Sequence, residues 1–293
     1  MLLNSRVMNE IKSIAVIGAG TMGRGIAQTA ATSGYRVTIV DADAGALDRG
    51  IAAIRDVLAT LVQKGKLAAS ERDAAMERLA TAPTLAGGVK AADLVVEAVP
   101  ESLELKERIF RQLDQAAPAH AILATNTSSL PVGAIAKSTR RPEHVVGMHF
   151  FNPVPIMPLL EIVRAEATSD ATVDAALAVA KRMAKDPIVV RDTPGFATSR
   201  LGVLLGLEAI RMLEQEVASA EDIDKAMTLG YKHPMGPLRL TDLVGVDVRL
   251  AIAEHLHREL RSEAFKPPEL MRRMVAEGHL GKKSGRGFYR WDA

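Results

Sequence analysis

The chain has 293 residues, nearly half of them apolar, enough for one large or two modest domains with a sizeable core. Basic and acidic residues almost balance, 37 against 35, which argues against a dedicated nucleic-acid binder. Cysteine is absent, and this excludes disulfides, iron–sulfur clusters, thiolate zinc sites and a cysteine nucleophile.

The N-terminal stretch MLLNSRVMNEIKS is too polar for a signal peptide, and no apolar run approaches the ~20 residues of a membrane helix. The expectation is a cytoplasmic protein without membrane contact, with a loose extension before about Ile11. Ser13–Ile17 then reads as a strand, Gly23–Ser33 as a helix and Arg36–Val40 as a second strand. Ala44–Lys64 reads as a long helix, with Ile51, Ile54, Val57, Leu58 and Leu61 on one side. Strands follow at Asp93–Ala98, Ala121–Ala124 and Val145–Phe150, separated by helices at Leu103–Gln115 and Pro131–Lys137. Leu159–Ala165 and Ile188–Val190 flank a further helix near Ala171–Ala184. Strands alternating with helices imply a mostly parallel sheet covered on both faces. At Asp192 the strand signal stops. Thr193-Pro194 suits a helix start with Pro at the first position, and the run Phe196–Leu213 is apolar nearly all round. Ser219 with Asp222 resembles a capping box, opening a helix that should stop at Gly230. Val246–Leu260 and Pro268–Glu277 complete the pattern. The expected domains are therefore residues 1–191 and 192–293.

GAGTMG, Gly18 to Gly23, supplies GxGxxG from Gly18, Gly20 and Gly23 with Thr21 and Met22 between them. Alone the pattern is weak. Here it follows a strand and opens a helix, the context in which backbone amides at a helix N-terminus face a pyrophosphate. Asp41 ends the second strand, where an acid binds ribose hydroxyls and repels a 2′-phosphate, so the expected cofactor is NAD rather than NADP. The alternative is a structural turn with a helix-capping Asp.

Six further segments occur in one order: NTSSL (Asn126–Leu130), GMHFFNPVPIMPLLEIV (Gly147–Val163), DTPGF (Asp192–Phe196), HPMGPL (His233–Leu238), DLVGVD (Asp242–Asp247) and GKKSGRGFY (Gly281–Tyr289). Taken together they resemble the L-3-hydroxyacyl-CoA dehydrogenases, including the bacterial 3-hydroxybutyryl-CoA dehydrogenases, from Ile11 to Trp291. The resemblance implies a Rossmann-type NAD-binding domain, a helical C-terminal domain for substrate and dimerisation, and a homodimer built through that second domain. It also implies an acyl-CoA substrate, short-chain in the 3-hydroxybutyryl-CoA type.

Oxidising a secondary alcohol with NAD requires a base for the hydroxyl proton, and histidine titrates near working pH. Of seven histidines, only His149 lies in a strongly apolar strand. From the residues alone such a histidine is more often a satisfied core residue. The resemblance makes it the catalytic base and Glu161 its partner carboxylate, which from sequence could equally be a strand-edge surface acid. It makes Ser128 the binder of the substrate hydroxyl, where Thr127-Ser128-Ser129 otherwise reads as a helix N-cap. Asn126 matches a nicotinamide-side contact. Glu101 and Lys106 match cofactor-contacting positions, with an exposed acid and base on a helix start as the alternative. After DTPGF the family commonly has an asparagine toward the substrate thioester, whereas this chain has Ser199, a shorter side chain with one hydroxyl. Lys64 and Lys66 match a basic stretch near the CoA nucleotide, or simply end a solvated helix. GKKSGRG suggests packing within the helical domain, and no motif supports a metal. Two other readings stay open: a relative acting on a non-CoA hydroxy acid or sugar acid, as in the L-gulonate branch, and a non-catalytic NAD-binding structural relative such as a lens crystallin.

Overall fold

The computed structural model describes residues 10–291. The N-terminal extension expected before Ile11 falls almost wholly outside them. Contacts divide the chain after Asp192 into two compact units.

The first unit runs β1 (Ser13–Ile17), α1 (Thr21–Thr32), β2 (Arg36–Val40), α2 (Ala44–Gln63), α3 (Ala69–Glu77), β3 (Leu79–Ala82), α4 (Leu85–Val89), β4 (Leu94–Glu97), α5 (Leu103–Ala116), β5 (Ile122–Thr125), α6 (Val132–Ala136), β6 (Val145–Phe150), β7 (Leu159–Arg164), α7 (Asp170–Arg182) and β8 (Asp186–Arg191). The eight strands form one sheet in the order β3-β2-β1-β4-β5-β6-β7-β8. Pairing is parallel except between β6 and β7. Parallel partners need a crossover, and helices supply it, so β4, β5 and β6 are buried on both faces. The β6–β7 link is a loop without a helix, and it permits only the antiparallel pairing. Chain order reverses beside β1, between β2 and β4. Doubly wound sheets bind ligands at the carboxyl ends of strands flanking such a point.

Three elements between Lys66 and Asp93 had no counterpart in the sequence pattern. β3 is the short edge strand LATA, half exposed, and α4 is the single turn LAGGV with two glycines. Neither carries the apolar periodicity that marks the longer elements.

The second unit is helical: α8 (Thr198–Glu214), α9 (Ala220–Lys225), α10 (Pro237–Val244), α11 (Val246–Leu260) and α12 (Glu269–Ala276). The expected helix start at Thr193-Pro194 is corrected here. Gly195 and Phe196 have φ of 75° and 49°, left-handed values that a helix cannot contain, so α8 begins at Thr198. At α9 the expected cap is present: Ser219 Oγ accepts from the Asp222 amide at 3.1 Å, and a π turn carries the helix on to Gly230. Beyond α12, GKKSGRGFY wraps around the fully buried Asp242, whose carboxylate accepts from the amides of Phe288 and Tyr289 and from Trp291 Nε1, each at 2.9 Å. A Cβ on Gly287 would stand 2.0 Å from that carboxylate, which explains the glycine. No helix among the described residues is long and apolar enough to cross a membrane.

Candidate active site

Each glycine of the Gly18–Gly23 loop has its own reason. Gly18 takes φ of 106°, and a Cβ there would press to 2.8 Å on the Ala98 carbonyl. A Cβ on Gly23 would overlap the Gly18 carbonyl at 1.8 Å, so α1 can start this close to β1 only without one. At Gly20 a Cβ would meet nothing within 4 Å. The space above Gly20 is open, and Gly20 is the N-cap of α1 with no side chain to satisfy the helix amides. That is the cradle a pyrophosphate requires, a bare helix N-terminus approached over a residue without side chain. Asp41 lies beside it. Its carboxylate accepts from the Ala19 amide at 2.9 Å and the Asp43 amide at 3.0 Å. Asp43, not Asp41, is the N-cap of α2, so the helix-capping alternative for Asp41 does not hold. The residues present fit a dinucleotide.

The next strand ends carry a buried polar chain. Glu97, closing β4, is fully buried, and Lys106 on α5 is 1% exposed. Lys106 Nζ donates to Glu97 Oε1 at 2.7 Å and stands 3.4 Å from Glu101 Oε2. Thr125 donates to Glu97 Oε2 at 2.7 Å, and the Val99 amide donates to Oε1 at 2.7 Å. Glu101 then receives the Thr127 hydroxyl at 2.5 Å and the Ser128 amide at 3.0 Å. Lys106 is thus not the exposed base of the alternative reading. The N-cap alternative for Thr127–Ser129 also falls. Pro131 is the N-cap of α6, and the amides of Val132 and Gly133 are taken by the Asp192 carboxylate at 3.0 and 2.7 Å. Asn126 follows β5 directly, and its Oδ1 accepts from the Phe150 amide at 2.9 Å, tying the NTSS turn to the end of β6.

His149 lies on that strand end. The antiparallel register places it opposite Glu161 of β7, and paired side chains project from the same face. His149 Nδ1 and Glu161 Oε2 are 2.7 Å apart, with the residues 6% and 0% exposed. Glu161 is therefore no surface acid. A carboxylate on Nδ1 fixes the ring and the tautomer whose Nε2 accepts a proton. The Phe151 ring leans on the imidazole at 4.4 Å between centroids.

The first unit also holds an apolar cavity of about 390 Å³ between α1, α2 and the β6–β7 loop, lined among others by Gln28, Ile54, Val57, Leu61, Val154 and Ile156. Lys64 and Lys66 are exposed just beyond α2. Ser199 belongs to the second unit, in the first turn of α8. Glu97, Thr127 and Asp192 are structural partners of the site that the sequence reading did not single out. For Glu97 a signal existed: an acid closing the apolar run DLVVEA must find a partner if the strand is buried.

Residues 13–193 match the family model of the 3-hydroxyacyl-CoA dehydrogenase NAD binding domain, and residues 195–291 match that of the C-terminal domain. The 3-hydroxybutyryl-CoA dehydrogenase of Mycobacterium tuberculosis is 42% identical over 95% of this chain and 98% of its own. That of Clostridioides difficile is 41% identical over 94% and 98%. The solved (S)-3-hydroxybutyryl-CoA dehydrogenase of Ralstonia eutropha superposes with a TM-score of 0.94 at 40% identity, covering 97% of this chain and all of that one. With both domain models matched in order and relatives aligned along nearly their whole length, the chain belongs to the 3-hydroxyacyl-CoA dehydrogenases, NAD-dependent oxidoreductases.

Proposed function

We propose that the enzyme interconverts a short L-3-hydroxyacyl-CoA, of the 3-hydroxybutyryl-CoA class, and its 3-ketoacyl-CoA, with His149 as acid–base and Glu161 as its orienting partner. The observation that carries this is the buried 2.7 Å contact between His149 Nδ1 and Glu161 at the carboxyl end of a doubly wound sheet. NAD, when bound, supplies the acceptor for the hydride that leaves the carbinol carbon. In oxidation His149 Nε2 takes the hydroxyl proton, and in reduction it returns that proton to the carbonyl oxygen. Glu161 stabilises the imidazolium formed in between. Ser128, held through its amide by Glu101, presents its hydroxyl to the same substrate oxygen. The glycine loop, with Thr21 and Met22, holds the pyrophosphate, Asp41 the ribose, and Asn126 and Glu101 the nicotinamide side. Lys106 acts from beneath, through Glu101. The acyl-pantetheine arm fits the apolar cavity, with Lys64 and Lys66 toward the CoA phosphates, and Ser199 stands where the family commonly places an amide.

NADH oxidation with acetoacetyl-CoA is expected to proceed, while free acetoacetate turns over at least a hundredfold more slowly in kcat/KM, since remote binding energy is then lost. Comparable rates with both would favour a non-CoA hydroxy acid, and no turnover a structural relative. NAD should be preferred over NADP. Asp41→Ala should narrow that preference chiefly through KM, because the ribose lies far from the reacting carbon.

The assembly fits a homodimer. Leu240, Leu243 and Val244 share one face of α10, and with Leu201 and Val248 they leave the second unit with exposed apolar side chains. Light scattering should give about twice the 31.3 kDa chain mass. Leu243→Glu should shift the equilibrium toward monomer, and an unchanged mass in that variant would remove this face from the interface.

A further inference from the structure

Lys185 is a buried ionisable group that the proposed chemistry leaves unused. It is 8% exposed. Its Nζ donates to the carbonyl of Val154 at 2.5 Å and to that of Met157 at 2.8 Å. Both partners are neutral, and burial pushes the ammonium below the ordinary lysine value. Taking an ammonium out of water toward carbonyls alone is unfavourable, so the fold must hold it there by other contacts. The backbone does so. α7 ends in a turn in which the Ala184 amide donates to Lys181 and the Lys185 amide to Ala180. Ala184 occupies its left-handed position at φ of 53°, where glycine is usual. This turn sets Lys185 where its Nζ meets the two loop carbonyls.

Both carbonyls belong to the loop between β6 and β7, the strands of His149 and Glu161. A second contact grips the same loop. Gly25 of α1 packs so closely that a Cβ there would stand 3.0 Å from Val154 Cβ. In the loop so held, Asn152 to Ile156 form one wall of the 390 Å³ cavity. Within the loop, the amides of Ile156 and Met157 both donate to the Pro153 carbonyl at 3.0 Å, so the wall is a compact turn.

We propose that Lys185 is a positioning residue for the substrate: acting through the Val154 and Met157 carbonyls, it sets the loop wall of the acyl-pantetheine cavity without touching the substrate itself. This rests on the acyl-CoA reading above.

Lys185→Met keeps an unbranched side chain one atom shorter and removes the donors. The expected result is a KM for acetoacetyl-CoA raised about tenfold, with kcat within roughly threefold of the parent and NAD affinity, read by fluorescence titration, within about twofold. Amide exchange at Ile156 and Met157 should quicken by roughly tenfold or more, while Met148 in β6 and Ile162 in β7 keep the parent's protection. A purely structural role would lower the melting temperature and the active fraction and leave KM where it was. Unchanged KM in the folded variant, or unchanged exchange at Ile156 and Met157, overturns the proposal. So does a loss of NAD affinity as large as the loss for acetoacetyl-CoA. Lys185→Gln, which keeps one donor group, should give an intermediate KM and supplies the same readings if the Met variant does not fold. If the parent enzyme itself fails to turn over acetoacetyl-CoA, the acyl-CoA reading is what fails. The exchange measurement needs no substrate, and it still decides whether Lys185 holds the loop.

Discussion

Replacing His149 by alanine is expected to lower kcat by roughly a hundred- to ten-thousandfold, the range for losing a general acid–base group. NAD binding should survive, because the glycine loop and Asp41 stand on β1 and β2 while the imidazole stands on β6. The substitution also takes the imidazole away from the fully buried Glu161 carboxylate, and stability falls with it. His149→Gln separates the two effects. Its amide can still donate to Glu161 but cannot carry a proton, so it should melt closer to the parent and remain as inactive as the alanine variant. Glu161→Gln should reduce kcat as well, by less than removal of the ring. It keeps the shape of the contact and loses the charge that stabilises the imidazolium. A His149→Gln enzyme with near-normal kcat would return the histidine to the role of a satisfied core residue.

How far the sequence carries depends on the element. Strands buried on both faces read as largely apolar runs, β2 reads as an alternation, and β1, β2 and β6 have the expected bounds. β3 is a half-exposed edge strand, α3 is mostly polar and α4 is one turn with two glycines, so none of them carries an apolar period to read. The glycine loop was legible because its residues are adjacent in the chain. The contact between His149 and Glu161 was not. It depends on the antiparallel register of β6 and β7, and shifting that register by one residue would turn the two side chains to opposite faces. Ser128 presents a third case. Its neighbourhood looks like a helix cap, and the cap of α6 is instead supplied by Asp192, sixty residues on and invisible to any local rule. The first residue of the motif DTPGF therefore has a structural use: it caps the N-terminus of the helix that follows the NTSS turn.

Lys106→Met is expected to destabilise the first unit by about 3–5 kcal/mol, the usual effect of removing one partner of a buried ion pair. Water does not screen the pair, since Lys106 and Glu97 are 1% and 0% exposed. The loss falls on Glu97. Its carboxylate would keep the Thr125 hydroxyl and the Val99 amide but lose the ammonium at 2.7 Å, leaving a charge in the interior with neutral donors only. Against a total stability of about 5–15 kcal/mol this is a large fraction, and the melting temperature should drop by roughly 6–20 °C. Adding Glu97→Gln should recover much of it, because the buried charge goes and an acceptor for Val99 remains. The double-mutant cycle then measures the pair itself rather than the stranded ion. A functional effect should accompany the structural one. Lys106 stands 3.4 Å from Glu101, and Glu101 holds the Ser128 amide, so the rescued double variant should regain its melting temperature more fully than its kcat/KM. If Lys106→Met alone melts within about 2 °C of the parent, an effect of under roughly 1 kcal/mol, the lysine is not what neutralises Glu97. The chain from β4 to Ser128 would then have to be redrawn without it.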